Sequence, residues 1–130
     1  SDVCSSDLKT VALSGDGGLL YHIGELETAI RCRIPLMIVV INNRAFASEF
    51  HLQKRGKHSR IIPEVIDFSD ADFAAIARGF GAHGVRVTRS EDLIPALQEA
   101  YAMGRPALVD VLCSKETPAP SASYRGDSLV

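Results

Sequence analysis

Two short stretches of this chain hold side chains suited to chemistry. Gly15-Asp16-Gly17-Gly18 follows the apolar run Thr10–Ser14, and Asn42-Asn43 follows Leu36–Ile41. Glycines let backbone N–H groups come close to an anion. A helix beginning near Gly18 offers further free N–H groups and the positive end of its dipole, which suits a phosphate. Asp16 would repel a phosphate directly, and a divalent cation between the two removes that conflict. Mg²⁺ accepts carboxylate, carbonyl and phosphate oxygens in octahedral geometry. Asp16 and Asn43 therefore read as side-chain ligands of a Mg²⁺–diphosphate, with the backbone carbonyl of Ala45 as a third ligand. The plainer alternative is a tight glycine turn with a capping aspartate and an unrelated asparagine.

These residues share a site only if the elements carrying them are neighbours. Thr10–Ser14 reads as a short strand. Leu19, Ile23, Leu26 and Ile30 then recur at helical spacing, and Pro35 falls where that helix has stopped. Leu36–Ile41 is apolar without alternation, as in a strand covered on both faces. Arg44 to Asp67 reads as a long loop with at most one helical turn. Ser69-Asp70 reads as the N-cap of a helix with the stripe Phe73, Ile76, Ala77 and Phe80, ended by Gly81 or Gly84. Val85–Thr88 is a strand. Ser90 caps a helix bearing Leu93, Leu97 and Tyr101, and Ala107–Leu112 is a final strand. Strands alternating with helices predict an α/β fold: a partial doubly wound parallel sheet of about four strands with helices on both faces. Ligands of such sheets lie outside the carboxyl ends of strands, where both Gly15–Gly18 and Asn42-Asn43 fall.

The 130 residues are 46% hydrophobic and 23% charged, enough apolar material for one domain with a core. A net charge of −2 gives no electrostatic footprint for nucleic acid. The longest apolar run, Ile34–Ile41, falls well short of the roughly 20 residues of a membrane span. The three cysteines show no paired spacing and read as reduced thiols of a cytoplasmic protein. The chain opens without Met on Ser-Asp-Val-Cys-Ser-Ser-Asp-Leu, which a common sequencing-adapter string could encode. Residues 1–8 are set aside as extraneous, with the natural protein expected to continue upstream. Residues 9–115 form the expected domain and 116–130 a loose tail rich in Ser, Pro and Gly.

The Gly-Asp-Gly turn, "GELETA" from Gly24 to Ala29 and the apolar strand ending in Asn-Asn resemble the diphosphate-binding motif of thiamine diphosphate-dependent enzymes. "GRPALVDV" from Gly104 to Val111 is similar to that family's closing strand. The resemblance extends over residues 9–113 and points to the acetolactate synthase and pyruvate decarboxylase group. It implies thiamine diphosphate and Mg²⁺ as cofactors, with Asp16, Asn43 and the Ala45 carbonyl on the metal. Gly15, Gly17, Gly18 and Phe46 fall along the cofactor. The family often has Gly where this chain has Ala45, but a carbonyl ligand does not require glycine.

The resemblance further implies a 2-oxo acid or related acyl donor as substrate. The chemistry resides largely in the cofactor, which attacks a carbonyl and acts as an electron sink. Catalysis also needs a glutamate from a pyrimidine-binding domain of the same or another subunit, within a homo-oligomer. Glu49 falls where several relatives carry a glutamate that handles protons, or is an exposed loop residue. "NNRAFASEFHLQ" departs from the Met- and Trp-containing loop of carboligating acetolactate synthases. The resemblance implies an acetolactate synthase-like enzyme that cleaves or joins C–C bonds next to a carbonyl, by 2-oxo acid decarboxylation or acyl transfer. The alternatives are a 2-oxo acid decarboxylase using Glu49 as acid/base, a non-catalytic phosphate- or nucleotide-binding module, and a fragment with only a packing role.

Other patterns carry less. Gly79-Phe-Gly-Ala-His-Gly84 matches G-x-G-x-x-G, but a helix precedes it and a strand follows, the reverse of the dinucleotide motif. His22 and His83 read as surface residues. His51 and His58 lack the spaced partners of a zinc site. Lys54 to Arg60 reads as a solvated basic run, and Arg125-Gly126-Asp127 as chance. Residues 9–130 alone are expected to turn over no 2-oxo acid, because the activating glutamate lies elsewhere. Measurable pyruvate or benzoylformate consumption by the isolated chain would contradict this.

Overall fold

A computed structural model describes residues 9–55 and 60–118. The readings of residues 1–8, of Lys57 and His58 in the basic run, and of the tail from 119 onward, Arg125–Asp127 included, fall outside the described residues. The described chain runs β1 (Thr10–Gly15), α1 (Asp16–Leu20), α2 (Glu25–Arg31), β2 (Leu36–Asn42), α3 (Ala47–Arg55) and α4 (Pro63–Ile66). It continues through α5 (Phe73–Phe80), β3 (His83–Val87), α6 (Leu93–Ala102) and β4 (Ala107–Leu112).

The four strands form one parallel sheet in the order β1-β2-β4-β3. Helices cover both faces, as the alternation of elements predicts. Leu19 of α1, Leu26 of α2, and Phe73 and Ala77 of α5 pack with Ile38, Val40 and Leu108 on one face. Ala96 and Ala100 of α6 pack with Val39, Val87, Val109 and Val111 on the other. The moves from β1 to β2 and from β2 to β3 cross on the first face, and the return to β4 crosses on the second. A single hand of crossover requires this arrangement. β4 thus lies between β2 and β3, buried from Ala107 to Val111. On the second face, α6 stops short of β1, leaving Val11, Leu13 and Ile41 exposed.

Several local readings change. The helix expected through Leu19–Ile30 starts at Asp16 and is interrupted between Tyr21 and Gly24. There the N–H groups of Tyr21, His22, Glu25, Leu26 and Glu27 bond three residues back, a tighter winding around a weak helix former, Gly24. The apolar stripe survives this, with Leu19 and Leu26 buried and Ile23 and Ile30 packed beside them. The long loop from Arg44 to Asp67 contains α3 and α4 among its described residues. α3 buries only Phe50 and His51, so it lacks the apolar periodicity that reveals a helix.

The cap of α5 is Asp72, whose Oδ1 accepts from Ala75 N at 2.8 Å, rather than Ser69 or Asp70. Ile76 and Phe80 are partly exposed, and Ala74 replaces them in the interface. Ser90 opens a 3-10 turn, Ser90–Asp92, and makes no capping bond to α6. Tyr101 is exposed, and Ala96 and Ala100 form the buried face of α6. Gly81 ends α5 at φ 96°, in the left-handed region that glycine tolerates.

α5 and β3 approach so closely that a Cβ on Gly84 would collide with the Ala74 carbonyl oxygen and lie 3.0 Å from its carbonyl carbon. Neither backbone can yield without parting helix from sheet. A Cβ on Gly79, inside the same helix, meets nothing within 4 Å. Gly84→Ala is therefore expected to cost about 1–3 kcal/mol. Gly79→Ala should gain about 0.5–1 kcal/mol. Urea denaturation of the two variants measures both signs.

Candidate functional site

The parallel register pairs Gly15 with Ile41, bringing the ends of β1 and β2 side by side. Asp16 follows one strand end and Asn43 the other. A cleft of about 630 Å³ opens there, with Gly15–Gly18 on one wall and Asn43, Ala45 and Phe46 on another. The first turn of α3 and the segment after β4, Cys113 to Pro118, complete it.

Asp16 is 3% exposed. Its Oδ1 accepts from Gly17 N at 2.8 Å and its Oδ2 from Ala45 N at 3.3 Å. Asn43 Oδ1 accepts from the same Ala45 N–H at 3.2 Å. The two side-chain oxygens proposed as metal ligands therefore converge on one backbone group. Among the described residues, no cationic side chain forms an ion pair with Asp16 (the ion pairs lie elsewhere). A carboxylate buried on two N–H donors alone is under-compensated, and a cation would complete its shell. The described residues contain no group of three or more His, Cys, Asp or Glu placed to hold a metal ion. A metal held here would have one carboxylate, an amide oxygen and a main-chain carbonyl as donors, hard oxygens of the kind that suit Mg²⁺.

The loop carrying these groups is held on its far side. Phe46 N donates to Ile66 O at 2.9 Å and Phe68 N to Arg44 O at 2.7 Å, flanking an antiparallel bridge between Ala45 and Asp67. In that pattern the N–H and C=O of Ala45 point away from residues 66–68, and the N–H meets Asp16 and Asn43. Arg44 sits at φ 57°. Its N–H donates to Asn42 Oδ1 at 3.3 Å, so Asn42 and Asn43 each bond the backbone N–H two residues on.

Asn42 and Asn43 differ in surroundings. Asn43 borders the cleft, whereas Asn42 is 1% exposed beneath it. Asn42 Nδ2 donates to Asp110 Oδ1 at 2.9 Å. Asp110 is fully buried on β4, and its Oδ2 accepts from Phe73 N at 3.2 Å and lies 3.6 Å from Arg86 Nε.

The remaining predicted residues also meet the cleft. Phe46 lies over Gly17, where a Cβ would come within 2.8 Å of its ring. Its ring also packs edge-on against Phe68, with centroids 4.5 Å apart. The N–H of Gly17 is bonded to Asp16 rather than open to a phosphate. A Cβ on Gly15 meets nothing within 4 Å, and one on Gly18 meets only Ser14 Oγ. Glu49 is exposed at the cleft in the first turn of α3. His22 is exposed outside the cleft. His51, assigned to a loop from sequence, borders the cleft at 8% exposure with no partner for Nε2 among the described residues. Cys113, read from sequence only as a reduced thiol, also borders it, and burial raises its thiol pKa.

An open parallel α/β sheet with a cleft outside its strand ends defines a ligand-binding domain of the doubly wound class. The family described as "Thiamine pyrophosphate enzyme, C-terminal TPP binding domain" matches residues 3–111, a range that begins within the segment set aside above. The putative thiamine pyrophosphate-containing protein YdaP of Bacillus subtilis is 34% identical over 121 residues, 92% of this chain and 20% of that protein. Acetolactate synthase of the same organism is 34% identical over 103 residues, 79% of this chain and 18% of that protein. Among solved structures, the thiamine diphosphate-dependent 4-hydroxybenzoylformate decarboxylase of Rhodococcus jostii RHA1 superposes with a TM-score of 0.75 at 30% identity. That match covers 83% of this chain and 20% of the other. This chain belongs to the C-terminal thiamine diphosphate-binding domain family of thiamine diphosphate-dependent enzymes. It spans about a fifth of the length of these relatives. Among the described residues no helix is long and apolar enough to cross a membrane.

Burial is the main force on the Asp110 carboxyl and pushes its pKa above the ordinary carboxylate range, against the opposing pull of Asn42 and Arg86. A carboxyl whose folded pKa exceeds its unfolded value, near 3.9, binds its proton more tightly in the folded chain. Its contribution to stability is full below the unfolded value and is lost as pH rises through the folded one. The stability of the wild type relative to Asp110→Asn should therefore decline from about pH 4 upward. Urea denaturation at stepped pH measures the difference, and a flat line would refute the assignment.

Proposed function

We propose that this domain binds thiamine diphosphate through Mg²⁺, as the C-terminal part of a longer enzyme acting on a 2-oxo acid or related acyl donor. The observation that carries the metal is Asp16, a carboxylate at 3% exposure held by two backbone N–H groups and no cation among the described residues. Asp16, Asn43 and the Ala45 carbonyl would hold Mg²⁺, and the metal would neutralise the diphosphate beside Gly15 and Gly18. Phe46, fixed against Gly17 and Phe68, would shield one side of the cofactor from water. When bound, the cofactor supplies a carbon nucleophile and an electron sink for making or breaking a bond next to a carbonyl.

Glu49 is exposed at the cleft on a helix rather than a mobile loop, a position from which it can exchange a proton with substrate. This favours decarboxylation or acyl transfer over acetolactate synthesis, as does the departure of "NNRAFASEFHLQ" from the synthase loop. The pyrimidine-binding domain with its activating glutamate would come from the same or another subunit of a homo-oligomer, in the cytoplasm. The small share of each relative covered by this chain supports that requirement.

Calorimetry tests the cofactor and the metal together. Thiamine diphosphate titrated into the chain should bind in the presence of Mg²⁺ and lose that binding with EDTA. Asp16→Ala should weaken uptake by at least about 2 kcal/mol, the scale of a lost charge-assisted contact. Binding of equal strength without Mg²⁺ would overturn the metal role. No uptake at any Mg²⁺ concentration would overturn binding by this domain alone.

A further inference from the structure

Asp110 is a buried titratable group outside the cleft that the proposed chemistry does not use. It lies in the middle of β4, opposite Val40, on the face covered by α5. An aspartate at a fully buried sheet position costs stability unless its oxygens are bonded. Here both are bonded, and the partners lead toward the cleft. Oδ1 takes the Asn42 side-chain amide at 2.9 Å, and that amide also reaches Ala71 O at 3.4 Å. With its Nδ2 so engaged, Asn42 presents Oδ1 to Arg44 N at 3.3 Å. The next N–H, that of Ala45, bonds Asp16 and Asn43. Oδ2 of Asp110 meanwhile takes Phe73 N at the start of α5, at 3.2 Å.

We propose that Asp110 is a positioning residue of the cofactor site, acting through Asn42 to fix the Arg44–Ala45 turn on which Asp16 and Asn43 converge. The inference rests on the proposed function for its purpose, but its geometry is independent of any ligand. Asp110 is acceptor-only when ionised, so it dictates the amide orientation of Asn42: nitrogen toward β4, oxygen toward Arg44 N. An asparagine at 110 would offer one acceptor where two donors, Asn42 Nδ2 and Phe73 N, now bond. Arg86 supplies a control. It pairs with Asp110, Asp70 and Asp72 and has no bond to Asn42. Its one link to the turn runs through Asp70 to the Arg44 side chain at 4.0 Å, which leaves the Arg44 and Ala45 N–H bonds untouched.

The test compares Asp110→Asn, Arg86→Met and the double variant Asn42→Asp with Asp110→Asn, which reverses the polarity of the 42–110 hydrogen bond. Amide hydrogen exchange is read by NMR on the full 130-residue chain, each variant referred to its own global unfolding. In Asp110→Asn, exchange at the Arg44 and Ala45 amides should rise about tenfold relative to Arg86→Met, the effect of one lost hydrogen bond. The double variant should recover part of that protection, because the new carboxylate at position 42 regains a bond to residue 110 but cannot donate to Ala71 O. No recovery at all would count against the role of the 42–110 bond. Mg²⁺-dependent uptake of thiamine diphosphate should weaken and recover in the same order. Equal exchange at Arg44 and Ala45 in Asp110→Asn and Arg86→Met would overturn the inference and leave Asp110 a residue of the core alone. If the wild type takes up no cofactor, the proposed function fails, and the exchange data still decide whether Asp110 fixes the turn.

Discussion

The Ala45 N–H is the point on which the site depends. One backbone donor serves the carboxylate that follows β1 and the amide oxygen that follows β2. The contact with Asn43 is local to the turn, but the one with Asp16 would not exist without parallel pairing of the two strands in the register that sets Gly15 beside Ile41. A slip of one residue would turn every side chain of β1 to the other face and carry Asp16 out of reach. Burial of Leu19 and Leu26 against Ile38 and Val40 protects that register. The apolar core therefore contributes to ligand geometry as well as to stability.

Much of this arrangement was legible from residue types and spacing. Unbroken apolar character marked Leu36–Ile41 as a strand covered on both faces, Ala107–Leu112 read as a final strand, and both lie centrally in the sheet. Glycines and the lone aspartate marked the turn after β1, and the paired asparagines marked the end of β2. What escaped notice has physical causes. α3 presents polar residues on most of its surface and buries only Phe50 and His51, so no periodicity announced it. His51 therefore reads as a loop residue from sequence. The interruption between α1 and α2 keeps a helical apolar stripe, so the pattern of side chains does not record the change in hydrogen bonding.

Asp110 was hidden differently. Within Ala-Leu-Val-Asp-Val-Leu it looks like a polar interruption of a strand, and its purpose depends on partners remote in sequence. The Asn42 amide, the N-terminus of α5 and the Arg86 guanidinium meet only in the folded chain. Composition and period cannot report a buried acid whose two donors and neighbouring cation come from three different elements. The same holds for the division of labour between Asn42 and Asn43, adjacent residues that face opposite sides of one turn.

The place of β4 between β2 and β3 bears on the order of assembly. As the chain is made, β1 and β2 are complete long before β4, and their pairing closes only the crossover through α1 and α2. Asn42 must wait for a partner 68 positions further on. Ordering that contact closes a long loop, which is entropically costly and slow compared with local pairing. The Asp16 wall can therefore form early, and the Asn43 wall acquires its underside only with the last strand. A ribosome-bound chain lacking β4 would carry the glycine turn and both asparagines, but not the framework that aims them.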